Sequence, residues 1–188
     1  TGKSTQVNLL GERLRRAGHD VLLTGEPGGT EIGMSIRRIL LSPNYRETLT
    51  PLSELLLFMT SRAQHVREVL LPSLEAGKTV VSSRYRLSSL AYQGYGRGLD
   101  LDLIRRLNDE STRGREADIT FLIDAPAAVV LGRKRGHGDR IEAETIDFYE
   151  RVRYGFLELT DGDPRVHRLD GTLPVDAMAD AVARRLSL

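Results

Sequence analysis

The residues that decide the fold are Thr1-Gly2-Lys3-Ser4-Thr5, at the start of the chain. They match the second half of the phosphate-binding pattern G-x-x-x-x-G-K-[ST], in which backbone N–H groups surround the phosphates, the lysine neutralises them and the hydroxyl meets Mg²⁺. The first glycine of that pattern and the strand before it are missing, so we expect the native protein to have a further N-terminal strand. A helix N-terminus that carries Gly, Lys and a hydroxyl by coincidence is the alternative.

A helix and a strand follow in the order that a phosphate-binding loop requires. Apolar residues recur at helical spacing from Val7 to Ala17, and Gly18 predicts the end of the helix. The positive end of the helix dipole would face the ligand of the glycine loop, as an anion site requires. The apolar run Val21–Thr24 predicts a buried strand. Loop, helix and strand together indicate the start of a βαβ unit.

The remaining sequence continues to alternate between strands and helices. We expect strands at 79–82, at 118–123 and near Val166, and helices at 31–41, from Pro51 with Thr50 as its cap, at 101–113, at 127–135, at 143–159 and from Pro174. Pro72 is expected to end or kink the long helix that starts at Pro51. This order predicts an α/β fold with a doubly wound parallel sheet, in one domain over residues 1–188, with ligands at the carboxyl ends of the strands.

Composition excludes several classes of protein. The 188 residues contain no cysteine, which rules out disulfides and thiolate metal sites and permits the cytoplasm. No segment is long and apolar enough to span a membrane. The formal net charge of +1 gives no overall attraction to nucleic acid. The four histidines are far apart and show no metal-ligand spacing.

Polar and aromatic residues are concentrated where the predicted strands end. Glu26 follows one strand and is succeeded by Pro27-Gly28-Gly29, which allows close approach of the backbone to a ligand, and Arg84 follows the next strand. The segment 92–98 interleaves tyrosines, an amide and glycines. These residue types suit phosphate and nucleobase recognition. An ordinary turn at 26–29 and a flexible solvent loop at 92–98 are the alternatives.

Two further patterns allow two interpretations each. Phe58 and Arg62 share a helix face, where a ring and a guanidinium could stack on a nucleobase and bond to its edge. A core phenylalanine beside a solvated arginine would give the same pattern. The segment 133–140 places four cations around Gly136 and Gly138. It could close over a polyphosphate, or it could be a basic surface loop.

Taken together, these residues resemble the thymidylate kinase family, whose members phosphorylate dTMP with ATP. The resemblance extends over essentially the whole chain. The motifs that carry it are Gly2-Lys3-Ser4-Thr5, Glu26-Pro27-Gly28-Gly29-Thr30, Phe58 with Arg62, Arg84-Tyr85 followed by Ser88-Ser89 and Ala91-Tyr92-Gln93-Gly94, and Asp139-Arg140-Ile141-Glu142. The resemblance implies a P-loop kinase fold with a short basic lid at about 133–141, Mg²⁺ as cofactor with ATP as phosphate donor, and a cytoplasmic homodimer.

The resemblance also implies a role for each matching residue. Catalytic roles are expected for Lys3, Arg84, Arg135 and Arg140. ATP contacts are expected from Gly2, Lys3, Ser4, Thr5, Arg133, Asp170, Gly171 and Thr172, with Ser4 as the Mg²⁺ ligand. dTMP contacts are expected from Glu26, Pro27, Arg37, Phe58, Arg62, Arg84, Ser89, Tyr92 and Gln93. In this scheme Arg37 and Arg84 hold the phosphate, Phe58 stacks on thymine, and Tyr92 lies against the sugar. Arg62 and Gln93 read the polar edge of the base.

Two positions depart from the family pattern. Ser83 stands where the family usually has an aspartate that helps to organise Mg²⁺ or the acceptor phosphate, and Gly25 stands where an arginine is common. Two other functions remain open at this point. A different nucleotide or small-molecule kinase would share the loop and lid, whereas a non-catalytic nucleotide-binding module would have little use for a second phosphate site at Arg37 and Arg84.

Overall fold

A computed structural model describes residues 2–132 and 138–188 of the chain. The α-helices are α1 (Lys3–Arg16), α2 (Glu31–Leu41), α3 (Pro51–His65), α4 (Leu71–Glu75), α5 (Arg86–Ser89), α6 (Leu101–Thr112), α7 (Ala127–Gly132), α8 (Ile146–Thr160) and α9 (Val175–Arg185). The strands are β1 (Val21–Thr24), β2 (Thr79–Ser82), β3 (Thr120–Asp124) and β4 (Val166–Asp170). Two π-helical stretches, Val66–Leu70 and Leu90–Gly96, continue α3 and α5, and a short 3₁₀ helix spans Pro43–Tyr45.

The described strands pair in parallel. β1 pairs with β2 from Val21 opposite Thr79 to Thr24 opposite Ser82. β3 pairs with β4 from Thr120 opposite Val166 to Asp124 opposite Asp170. Parallel pairing needs a crossover between partners, which α2, α3 and α4 supply for the first pair and α7 and α8 for the second. The expectation of an α/β fold with parallel strands is confirmed.

Local sequence signals set several helix ends. Glu31–Leu41 is helical over the expected range, and the Thr30 hydroxyl caps it by accepting from the Gly33 amide. The Thr50 hydroxyl caps α3 in the same way by accepting from the Ser53 amide. α3 begins at Pro51, where the missing N–H of proline costs no intrahelical bond.

The structure excludes two possibilities that the sequence left open. Pro72 does not end the helix that starts at Pro51, because the chain continues through the π-helical stretch Val66–Leu70 into α4, with the proline in the first turn of α4. A kink at the proline, the other expected effect, stays a prediction. The alternative of a flexible solvent loop at 92–98 is also excluded. The first five of these residues belong to the π-helical segment Leu90–Gly96, which packs on α8.

The core consists of apolar side chains between the strand pairs and the helices. One cluster joins the π-helical segment to α7 and α8 through Ala91, Ala127 and Phe148. Another joins Leu169 of β4 to Met178 and Val182 of α9, with Leu10 of α1 packed against it. No helix in the described parts of the chain is long and apolar enough to cross a membrane.

Candidate active site

The expected phosphate-binding residues lie at the start of α1. Gly2 has a φ of 71°, a left-handed conformation that favours glycine, and the helix begins at Lys3. Ser4 and Thr5 are exposed, and Ser4 lines a cleft with Thr24 and Ser83 at the ends of β1 and β2. The residues that follow two parallel strands and the start of a helix thus meet at one edge of the fold, as expected.

Lys3 and Arg84 approach each other at this edge. Burial and the nearby charge of Arg84 lower the pKa of Lys3 to about 7, although the charge of Glu142 acts in the opposite direction. Two cations in mutual repulsion are relieved when an anion enters between them. The geometry therefore favours a bound phosphate group beside Lys3 and Arg84.

Arg84 also lies against Tyr92, as expected for two residues of one ligand site. Its guanidinium carbon is 4.8 Å from the centre of the Tyr92 ring, and its Nη2 donates to the Tyr92 hydroxyl at 3.3 Å. The edges of the Phe148 and Phe156 rings meet Tyr92 with centroid distances of 6.1 and 6.2 Å. These contacts hold Tyr92 in one orientation and join it to α8.

The turn after β1 brings Glu26 and Pro27 to the same edge. The Glu26-Pro27 peptide bond is cis, and Arg37 Nη1 donates to the Pro27 carbonyl oxygen at 2.9 Å. Gly29 has a φ of 84°, and a Cβ there would lie 2.4 Å from the His65 ring. Glycine is required at position 29 both by the backbone conformation and by the close approach of α3.

Arg62 is a buried member of an ion-pair network. The residue is 1% exposed, its Nε donates to Glu26 Oε2 at 2.7 Å, and its Nη1 donates to Asn108 Oδ1. His65 bonds to the other Glu26 oxygen at 3.3 Å and to the Thr24 hydroxyl at 2.7 Å. Asn108 was not expected from the sequence, because nothing near it in the chain indicates that α6 packs against α3. The network fixes the guanidinium before any ligand binds.

Phe58, Ser89 and Gln93 have different exposures. Phe58 is half-buried on the α3 face that also carries Arg62, whereas Ser89 and Gln93 are almost fully buried. Gln93 Nε2 donates to Glu54 Oε1 at 2.8 Å. Glu54 is a second buried residue of this region that the sequence motifs did not indicate.

Arg140 does not lie in an open basic loop, and this expectation is corrected. The residue is 1% exposed, its Nη2 donates to Glu54 Oε2 at 2.5 Å, and its Nε donates to the Leu40 carbonyl oxygen at 2.9 Å. The physical reason is that the buried carboxylate of Glu54, which is distant in the sequence, supplies a counter-charge for Arg140 inside the fold. The other expected lid residues, Arg133 and Arg135, lie outside the described residues.

The loop Asp170-Gly171-Thr172 follows β4 and lies beside the end of β3. Asp170 Oδ1 accepts from the Thr172 amide and hydroxyl at 2.8 and 2.7 Å, and the Gly171 amide donates to the Asp124 carbonyl oxygen at 2.6 Å. A Cβ at Gly171 would lie 2.7 Å from that oxygen, so only glycine allows the approach. A cleft of about 420 Å³ adjoins the loop, bordered also by Pro126.

The donor set at α1 fits Mg²⁺ only in combination with phosphate. Among the described residues, no group of three or more His, Cys, Asp or Glu side chains is placed to hold a metal ion. Mg²⁺ in phosphoryl-transfer sites is commonly bound through one or two protein oxygens, substrate phosphates and water. The exposed Ser4 hydroxyl next to Lys3 is compatible with that mode.

Comparison with known proteins gives the same assignment as the site residues. The family model described as thymidylate kinase matches residues 1–182. The chain belongs to the thymidylate kinase family. A thymidylate kinase from Kosmotoga olearia is 46% identical over 191 residues, which cover 100% of this chain and 91% of the relative. One from Deinococcus radiodurans is 48% identical over 180 residues, covering 94% of this chain and 86% of the relative.

A solved structure extends the likeness to three dimensions. The crystal structure of thymidylate kinase from Ehrlichia chaffeensis matches with a TM-score of 0.80 and 33% identity. The match covers 98% of this chain and 92% of that chain. The α/β fold described above is therefore that of a thymidylate kinase over nearly its whole length.

Proposed function

We propose that this chain transfers the γ-phosphoryl group of ATP to dTMP and so produces dTDP for deoxynucleotide synthesis. The observation that carries the proposal is the position of Arg84 between Lys3 of the phosphate-binding helix and Tyr92 of the expected dTMP site. One cation adjacent to both half-sites is suited to a phosphoryl group that passes between two substrates. Family membership supports the same reaction and disfavours a non-catalytic nucleotide-binding module.

The proposed donor half binds ATP at the start of α1. The backbone of Gly2, Ser4 and Thr5 and the ammonium group of Lys3 hold the phosphates, while Arg133 and the 170–172 loop flank adenine. When bound, Mg²⁺ neutralises charge on the phosphate oxygens, with the Ser4 hydroxyl as its protein ligand. The close contact between Gly171 and the end of β3 supports this position for the loop, because it keeps a narrow turn beside the cleft.

The proposed acceptor half binds dTMP between α3 and the π-helical segment. Arg37 and Arg84 bind the phosphate, Phe58 stacks on thymine, and Tyr92 lies against the sugar. Glu26, Pro27, Arg62, Ser89 and Gln93 complete this half. This assignment is supported by side chains that are held in place before a substrate binds. The Arg62 guanidinium is held by Glu26 and Asn108, and the Tyr92 ring is held by two aromatic neighbours.

In this mechanism the acceptor phosphate of dTMP is itself the nucleophile, so no Ser, Cys or His nucleophile is required. Lys3 and Arg84 stabilise charge on the transferring group and hold both substrates in line. Arg135 is proposed as the cation of a lid that excludes water during transfer, in the part of the expected segment 133–141 that precedes the buried Arg140. We further propose that the strands belong to one doubly wound sheet, and that the protein is a cytoplasmic homodimer in a single domain.

A coupled assay with ATP, Mg²⁺ and a panel of nucleoside monophosphates tests the assignment. dTMP should be the preferred acceptor, and Lys3→Ala should nearly abolish turnover without lowering the midpoint of thermal unfolding, because it removes charge from the donor site and little packing. Lys78→Ala is the matched control, since Lys78 pairs with Asp20 on the surface at 3.3 Å. A higher kcat/KM for AMP or GMP than for dTMP contradicts the proposal.

A further inference from the structure

Glu54 lies at the centre of a buried group of side chains, and the proposed mechanism assigns it no role. It is 1% exposed and lies on α3 one turn before Phe58. Its Oε1 accepts from Gln93 Nε2 at 2.8 Å and from Arg97 Nε at 3.2 Å. Its Oε2 accepts from Arg97 Nη2 at 3.1 Å and from Arg140 Nη2 at 2.5 Å. Glu54 thus joins α3, the π-helical segment and the residues after 138.

Glu54 is ionised in this environment. Burial alone would raise the pKa of Glu54, but hydrogen bonds from Arg97 and Gln93 and the charges of Arg97 and Arg140 lower it below its ordinary value. A carboxylate has only acceptor atoms, so the NH₂ end of the Gln93 amide must face it. The carboxylate therefore dictates which way the Gln93 amide points.

The carbonyl oxygen is the opposite end of this amide. Within residues 2–132 and 138–188 the Gln93 side chain is held through its nitrogen, which donates to Glu54. Because the two ends of a planar amide point in different directions, Gln93 Oε1 faces away from Glu54. Glu54 therefore fixes the direction of this acceptor.

We propose that Glu54 is a positioning residue that sets the base specificity of the acceptor site by holding the carbonyl oxygen of Gln93 toward the base. This inference rests on the proposed function, in which Gln93 faces the polar edge of the base. Thymine carries a hydrogen on the ring nitrogen of that edge and can donate to Gln93 Oε1. Cytosine has a lone pair there, so two acceptors would face each other and remain unpaired.

Glu144 provides a matched control. Its Oε1 accepts from Arg97 Nη1 at 2.6 Å, so it pairs with the same guanidinium as Glu54. In the part of the chain that the structure describes, Glu144 makes no hydrogen bond to Gln93. Glu144→Gln removes a carboxylate from the same cluster but leaves the orientation of Gln93 unchanged.

The first test compares Glu54→Gln with the wild type and with Glu144→Gln. An amide at position 54 can accept as well as donate, so the Gln93 amide becomes free to turn over and present its NH₂ group to cytosine. The ratio of kcat/KM for dTMP to kcat/KM for dCMP should fall by about tenfold or more, in line with loss of one oriented hydrogen bond. The change should appear in KM for the nucleoside monophosphates and leave KM for ATP unchanged. Glu144→Gln should keep the wild-type ratio.

The exchange variant Glu54→Gln/Gln93→Glu provides the rescue. It keeps the total charge and the pairing of one amide with one carboxylate, but it now turns the carboxylate toward the base. A carboxylate cannot become a donor, so discrimination against dCMP should return to at least the wild-type level. If Glu54→Gln does not give a cooperative unfolding transition, the solvent exchange of the Gln93 side-chain amide protons in the wild type decides the proposal instead.

A measurement on the wild type completes the test. The side-chain amide protons of Gln93 should exchange slowly with solvent in NMR spectra, both with and without dTMP, because they face Glu54 in both states. Rapid exchange in the dTMP complex overturns the proposal, as does a folded Glu54→Gln protein whose dTMP to dCMP ratio stays within about twofold of wild type. A wild-type enzyme without preference for dTMP overturns the proposed function instead, before any variant is compared.

Discussion

Arg62 and Arg140 are buried arginines, and each forms an ion pair with a buried glutamate. Arg62 is bonded to Glu26, and Arg140 is bonded to Glu54. Removing one member of such a pair leaves an uncompensated charge in the interior, which costs more than a lost surface contact. At both positions a substitution therefore changes stability as well as any contact with substrate.

Arg140→Ala should lower the free energy of unfolding by about 3 to 5 kcal/mol, because Glu54 would lose one of its two guanidinium partners. Urea unfolding followed by circular dichroism measures the change. Arg105→Ala is the control, since Arg105 pairs with Asp102 on an exposed helix face and should cost about 0.5 kcal/mol or less. An Arg140→Ala protein as stable as the control, but slow in the chemical step, would restore the lid role for this residue.

Residue positions could be predicted where the signal is local. Gly2, Lys3 and Ser4 lie at a helix start because their motif specifies one, and Arg84 and Tyr92 are only eight residues apart in the chain. The partner of Arg140 is 86 residues away in the chain, and no local pattern indicates it. Asn108 and Glu54 were missed for the same reason.

Among the elements, the π-helical conformation of the segment Leu90–Gly96 was not predicted from the sequence. Its glycines left a flexible solvent loop open as an alternative, but in the structure they allow close packing. A Cβ at Gly96 would lie 2.7 Å from the Phe148 ring, and a Cβ at Gly155 would lie 2.4 Å from the Tyr95 ring. Gly96 of this segment and Gly155 of α8 thus allow the two helices to approach each other closely. A single sequence does not distinguish a glycine that bends a loop from one that admits a neighbouring helix.

Gly155→Ala should destabilise the protein by about 1 to 3 kcal/mol, because the added methyl group overlaps the half-buried ring of Tyr95. Thermal unfolding and the KM for dTMP should both change, since α8 supports Tyr92 through Phe148. Gly132→Ala is the control. A Cβ at Gly132 meets nothing within 4 Å, so alanine in α7 should leave stability unchanged or raise it slightly. Equal effects of the two substitutions would contradict the packing explanation.

For the molecule as a whole, ion pairs link the ends of the second strand pair to the helices. Asp124, at the end of β3, binds Arg153 of α8 at 2.7 Å and Arg168 of β4 at 2.6 Å. The hydrogen bond from Arg153, with that from Arg168, lowers the pKa of Asp124 below its ordinary value of 3.8 although burial acts in the opposite direction. The paired carboxylate therefore contributes stability above that pH, and the contribution is lost as the pH falls through the lowered pKa.

Asp124→Asn should lower the free energy of unfolding by about 1 kcal/mol at pH 7, and the difference from wild type should disappear as the pH falls below 3.8. Urea unfolding at several pH values measures it. Asp180→Asn removes an exposed partner of Arg13 and should have a smaller effect at every pH. A difference between wild type and Asp124→Asn that persists at low pH would show that the effect is not electrostatic.

The contact between α1 and α9 has a consequence for the nascent chain. Gln6 Nε2 of α1 donates to the Val175 carbonyl oxygen, a partner 169 residues later in the sequence. At cellular elongation rates that partner is synthesised on the order of ten to thirty seconds after Gln6. Until then the face of α1 that carries Leu10 lacks its covering from Met178 and Val182. The phosphate-binding helix therefore leaves the ribosome well before the helix that covers it, and in that interval its apolar face is exposed to chaperones and proteases.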